Sequence, residues 1–213
     1  MKQERAERTR ARLVRAASTV FDDVGYERAA LSAISERAQV TKGALTFHFA
    51  AKSDLARAVQ AEACRVSGAV LADLADRQGP GFEIAVDMAD ALVRMLQGDI
   101  VVRAGARLAH EIETPDDPSL HCHLNWLGAL FRALRRARAD GSLLSGVEVR
   151  PATGLLMSLV VGATSMSRSP AEIAFGDGPF ASRRSTQEWL VRMLEVVRPA
   201  LSESCTPAGA PSE

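Results

Sequence analysis

Residues 41–49, Thr-Lys-Gly-Ala-Leu-Thr-Phe-His-Phe, carry the side chains best suited to meet a nucleic-acid backbone. Thr41, Lys42, Gly43 and Ala44 open a helical run and are small or cationic. A helix end built from them can approach a phosphate closely and set positive charge against it. Thr46, Phe47 and His48 follow on the same short segment. Upstream, the pattern predicts one amphipathic helix from about Ser32 to Ala38, a tight turn through Gln39, Val40 and Thr41, and a second helix from Lys42 to about His48. Ser32 and Thr41 each precede a helical run, where a hydroxyl can accept from an orphaned backbone N–H. Helices below roughly a dozen residues are marginal alone, so Leu31, Ile34, Ala38, Val40, Leu45 and Phe49 must pack on a neighbour. A buried pair of connector helices would show the same bare pattern.

The residue types narrow that choice. Phe21, Gly25-Tyr26, Ile34, Val40-Thr41-Lys42-Gly43, Phe47-His48-Phe49 and Lys52-Ser53-Asp54-Leu55 resemble the DNA-binding domain of the TetR family of transcriptional regulators. The run TKGALxFHFxxKxxL further resembles the γ-butyrolactone autoregulator receptors of actinomycetes, with thinner similarity at Val102–Leu108, Trp126 and Gly141–Leu144. The resemblance implies a dimer on a pseudo-palindromic double-stranded operator, repressing transcription until a small lactone, furan or butenolide releases it. It assigns DNA contact to Thr41, Lys42, Gly43, Ala44, Thr46, Phe47, His48 and Lys52, and a place in the effector pocket to Trp126. Two positions depart from the family pattern. Thr46 stands where a phosphate-contacting Tyr is usual, and Gln39 takes a turn position normally given to Gly, at a cost of roughly 1 kcal/mol. An orphan or efflux regulator answering an antibiotic or other hydrophobic compound, or a helical binding module with weak DNA affinity, are the alternatives.

Other chemistry finds little support. His110-Glu111-Ile112-Glu113-Thr114 begins like a zinc-protease motif but has Thr where the second His is required. His121-Cys122-His123 is metal-like in composition, yet alternate helical residues point about 200° apart and do not converge. No phosphate loop or nucleophile elbow is present, so the reading is no enzyme, no metal and no cofactor. An indole with one N–H donor suits a small lactone. Trp126 lies off the most apolar stripe of its helix, and Leu92, Leu108 and Leu130 would come from the same layer of helices to complete a wall around a hydrophobic effector.

The elements positioning these residues read as all-α: apolar residues recur at helical spacing, and no segment alternates convincingly. A first helix, about Gln3 to Val24, sets Leu13, Ala17, Val20, Phe21 and Val24 on one face and Arg5, Arg8, Arg12 and Arg15 on another. Arg5 and Arg8 are expected to reach phosphate, and Gly25 to end the helix. Long helices follow from Lys52, from Phe82 and from Ser119, with a shorter one from about Ile100 to Glu113; the Ser119 helix ends in an Arg cluster suited to the negative end of its dipole. The apolar runs Val149 to Arg168 and Ser185 to Val197 need cover on more than one side, and the resemblance makes them a homodimer interface. The expected architecture is therefore a three-helix helix-turn-helix head at 1–52, a helical ligand-binding and dimerisation domain at 53–203, and a disordered tail at 204–213.

Net charge is zero but uneven: residues 1–57 carry 11 Lys and Arg against 7 Asp and Glu, whereas the remainder carries 15 against 19. That asymmetry suits an N-terminal part that meets phosphate. Three cysteines, Cys64, Cys122 and Cys205, without metal or redox spacing, point to thiols in a reducing bacterial cytoplasm. No apolar run approaches the roughly twenty residues of a membrane span or follows the basic start as in a signal peptide.

Overall fold

The computed structural model describes residues 2–112, 120–166 and 186–202, and among them every regular element is helical. In chain order these are α1 (Lys2–Arg28), α2 (Leu31–Arg37), α3 (Lys42–His48), α4 (Lys52–Ala75), α5 (Gly81–Gly98), α6 (Ile100–Glu111), α7 (Cys122–Ala139), α8 (Val149–Met166) and α9 (Thr186–Leu201). The expected capping role of Ser185 and the tail after residue 203 lie outside the described residues.

Two compact units divide the chain: residues 1–73 with 94–128, and residues 74–93 with 129–213. In the first, α1 packs on α2 and α6, and α2 on α3. Leu13, Ala17, Phe21, Ile34, Leu45, Phe49, Leu55, Val59, Ala104 and Leu108 share one buried core. This is the neighbour that the short helices α2 and α3 require. In the second unit, α8 packs on α9. Arg136 donates to the carbonyls of Ala75, Arg77 and Gly79, so it satisfies the end of α4 rather than its own helix. The Gly81 N–H reaches Asp140 Oδ2 at 2.7 Å and the Leu144 N–H reaches Leu201 O at 2.9 Å.

Three local details differ from expectation. Ser32 does not cap α2: the cap position is Ala30, with no side-chain bond, and Ser32 sits inside the helix, its carbonyl accepting from Ser35 Oγ. Thr41 does cap α3, its Oγ1 accepting from Ala44 N at 3.1 Å. Gly25 has the expected positive φ of 80° and a non-helical backbone, so the first helical run does end there, but a further short helical piece continues α1 to Arg28. The chain resumes helical form to Arg28 because its last carbonyls find donors: Lys52 Nζ binds the carbonyls of Tyr26 (2.9 Å), Glu27 (3.1 Å) and Ala29 (3.3 Å). Arg12, expected on a cationic face, donates to Ala38 O and closes the end of α2.

Gly25 is also a point of close approach. A Cβ there would lie 2.7 Å from Arg107 Nη2 and 2.9 Å from Glu111 Oε1 on α6. The Arg107 and Glu111 side-chain ends can shift, so the cost of Gly25→Ala comes from the unfavourable dihedral; it is expected to be about 2 kcal/mol and to lower the melting temperature by about 5 °C. An unchanged thermal melt would contradict the positive φ at this position.

Candidate functional site

Helix α3 buries Leu45 and, just past its end, Phe49, and this turns Thr41, Lys42, Gly43, Thr46 and Phe47 to solvent. Ala44 and His48 are half-buried at the edge of that face. Phe47 is 80% exposed, its ring edge-on to His48 at 5.3 Å. An apolar ring beside a cationic helix start can meet a thymine methyl while Lys42 meets phosphate. Thr46 Oγ1 donates back into its own helix, to Lys42 O at 3.2 Å and Gly43 O at 3.1 Å. Gln39, with φ 52°, occupies the left-handed turn position expected for it.

On α1, Arg5 and Arg8 are exposed, and Arg8 is held by Glu4 at 2.6 Å. An exposed pair of this spacing is worth little, so phosphate can displace Glu4 at small cost. The Lys52 ammonium donates to three backbone carbonyls and lies 4.5 Å from the Tyr26 ring centroid, so it fastens the end of α1 in this structure.

The contact between α1 and α6 was not singled out from sequence. Arg103 Nε donates to Asp22 Oδ2 at 2.9 Å, and Arg107 Nη1 donates to Asp22 O at 2.6 Å. Arg107 Nε and the Tyr26 N–H both reach Glu111, each at 2.6 Å. Burial works to raise the Glu111 carboxyl, but the Tyr26 N–H and the Arg107 guanidinium outweigh it and hold the group below the usual carboxylate range. These bonds join α6 to the final turns of α1, the helix on which α2 packs.

Further along the first unit, Trp126 is fully buried, and its Nε1 donates to Ser67 Oγ at 2.9 Å. Ser67 in turn donates to Ala63 O at 2.7 Å. The indole N–H expected to await a lactone is therefore engaged in the structure as it stands. His123 lies edge-on to Trp126 at 5.0 Å and beside His110 at 4.6 Å. Burial, then the neighbouring His110 and His121, push His123 down to about 4. Gln60 on α4 is fully buried, and neither Nε2 nor Oε1 has a hydrogen-bond partner. Leu108 belongs to the core shared by α1, α2 and α3, because α6 packs on α1. Leu92 and Leu130 are fully buried residues of the second unit.

The His123 shift has a pH consequence. Its folded-state value lies below the ordinary imidazole value, so the fold prefers the neutral ring. That contribution is complete above about pH 6.5 and is lost as pH falls toward 4. Between pH 7.5 and pH 5 the expected loss is about 2 kcal/mol. Urea midpoints of the wild type should fall more over that range than those of His123→Phe; equal falls would contradict this placement of the ring.

Among the described residues, no three His, Cys, Asp or Glu groups come together to hold a metal ion, and no helix is long and apolar enough to cross a membrane. Residues 13–59 match the family of bacterial regulatory proteins, tetR family. The chain is 33% identical over 168 residues to the A-factor receptor protein of Streptomyces griseus, covering 79% of this chain and 58% of that protein, less than two thirds of its length. It is similar in structure to a γ-butyrolactone receptor (ArpA-like protein), with a TM-score of 0.68, 31% identity, and coverage of 90% of this chain and 99% of that one. It also resembles CprB of Streptomyces coelicolor, a TetR family protein studied in complex with its biological operator sequence. There the TM-score is 0.74 and the identity 30%, covering 93% of this chain and 90% of that one. The sequence match at the reading helices and the structural match along nearly the whole length agree: the chain belongs to the TetR family of bacterial regulatory proteins, in its γ-butyrolactone receptor branch.

Proposed function

We propose that the protein is a transcriptional repressor, not an enzyme, that binds a pseudo-palindromic double-stranded operator as a homodimer and is released by a small hydrophobic effector of γ-butyrolactone, furan or butenolide type. The observation that carries this reading is the outward face of α3, where Lys42, Gly43, Thr46 and Phe47 stand exposed above the buried Leu45. Residues 1–52 act as the reading head, and 53–203 bind the effector and pair with a second copy. Exposed Leu155 and Val161 on α8, with Val191 and Val196 on α9, support pairing through these two helices, since apolar side chains of this size gain from cover. A bacterial cytoplasmic location follows from the role.

Trp126 is the effector residue in this reading, joined by Gln60, Ser67 and His123 in place of Leu108. Release follows if the effector prefers a placement of α4 and α6 that the operator-bound dimer does not share. The α1–α6 bonds at Asp22, Tyr26, Arg103, Arg107 and Glu111 are suited to carry that preference to the head.

A gel shift with the duplex upstream of the protein's own gene tests the reading. Retention at low salt, lost on adding a synthetic γ-butyrolactone series or a lactone-containing culture extract, is the expected result. Retention that no addition disturbs would contradict release by such a ligand, and no retention would contradict DNA binding. Because the Thr46 hydroxyl is turned back into α3, Thr46→Tyr adds a phosphate contact per head. It is expected to tighten binding about tenfold, alike across sequences. An unchanged affinity at matched salt would count against that geometry.

A further inference from the structure

Cys64 on α4 and Cys122 at the start of α7 are 58 residues apart in sequence, and the structure brings their Sγ atoms to 2.9 Å. Both are reduced; Cys64 is half-buried and Cys122 fully buried. A disulfide places its sulfurs about 2.05 Å apart, so the pair needs an approach of less than about 1 Å to bond. The surroundings hold the two sulfurs in this position. Cys122 Sγ is 3.8 Å from Gln60 O, and the Gly105 backbone passes so close to α4 that a Cβ on it would stand 2.3 Å from the Ala63 Cβ.

We propose that Cys64 and Cys122 are an oxidation site, converted by a hydroperoxide into an intramolecular disulfide that fastens α4 to α7. The half-buried Cys64 is the sulfur that peroxide reaches. Its thiolate attacks the peroxide oxygen, the O–O bond breaks, and an alcohol or water leaves with the thiol proton, giving a sulfenic acid at Cys64. Cys122 Sγ then attacks Cys64 Sγ. The S–S bond forms as the S–O bond breaks, and the hydroxyl leaves as water with the Cys122 proton. Two thiols and one hydroperoxide give one disulfide, one alcohol and one water. The hydrogen bond with Cys64, and then burial, push the Cys122 thiol up, which leaves it inert to peroxide until that intramolecular step. Since α4 begins directly after the reading helix, the bond ties the helix leading from the head to the body of the first unit. This inference does not depend on the effector.

The test uses the reduced full-length protein, treated under native conditions with a small excess of hydrogen peroxide and then denatured in the presence of N-ethylmaleimide, so that the buried Cys122 is also reached. The expected product is monomeric in covalent terms, has lost two hydrogens, and takes up one maleimide, at Cys205, where the reduced chain with its three cysteines takes up three. A non-reducing digest should yield one peptide pair joined through Cys64 and Cys122. The melting temperature should rise by about 10 °C and return on reduction with dithiothreitol. Cys205→Ser should oxidise as the wild type does, and Cys64→Ser should lose the reaction. Uptake of three maleimides after treatment, a bridge through Cys205, or a sulfinic acid at Cys64 as the end product would each overturn the proposal. The digest reads the wild-type chain, so the result stands even if a variant folds poorly.

Discussion

Gln60→Leu is expected to make the protein more stable, raising its melting temperature by about 5 °C, while weakening its response to effector. Gln60 is fully buried on α4, and its amide N and O both lack a hydrogen-bond partner. A buried, unpaired polar group costs about 1–3 kcal/mol, which an apolar side chain of similar volume does not incur. A protein that retains such a group against its own stability has a use for it. The amide offers one donor and one acceptor in the same unit as Trp126, the pairing that a lactone carbonyl and a hydroxyl require. Removing it should weaken release by about tenfold or more, with operator affinity in the absence of effector unchanged. Thermal melts and effector titrations of the bound duplex check both halves. A loss of stability would show that the amide is satisfied in solution, and an unaltered titration would remove it from the effector site.

Trp126→Ala should have the opposite effect on the fold. Trp126 heads the fully buried side chains in size, and truncating a buried aromatic costs about 3–5 kcal/mol, because the neighbours relax only partly into the space. For a chain of this length the melting temperature should fall by about 10 °C. That number alone does not separate core filling from ligand contact, because either role loses the ring. Trp126→Phe does separate them. It keeps most of the volume and the edge contact with His123, and deletes the Nε1–H bond to Ser67. A near-normal melt with impaired release would support an effector contact. A near-normal melt with normal release would make Trp126 a packing residue, and a melt of the Ala variant within about 1 kcal/mol of wild type would contradict its burial.

The all-α architecture was legible because amphipathic spacing and breakers act locally. The Thr41 cap, the left-handed Gln39 and the positive φ of Gly25 each follow from a few adjacent residues. What stayed hidden was the partner of each buried face. Periodicity marked Leu108 as inward but could not say that it joins the core built on α1. The carbonyl partners of Lys52 were equally out of reach, because its acceptors lie 23 to 26 positions upstream. On α4, Val66 and Val70 are only half-buried, while the polar Gln60 and Ser67 are fully buried. A polarity pattern passes over the buried polar groups on which the proposed effector chemistry rests. Cys64 and Cys122 likewise carry no signal in their spacing and meet only through the packing of α4 against α7.

Sedimentation of the protein with a duplex from upstream of its own gene, at low and matched salt, tests most directly whether α3 reads DNA as one arm of a symmetric pair. Two chains, or a multiple of two, are expected on each duplex, with Lys42→Ala lowering the dependence of log affinity on log salt by about 2 per dimer. A chain that sediments as a monomer and leaves the duplex unbound, or a Lys42→Ala protein whose salt dependence matches the wild type, would contradict this reading of α3.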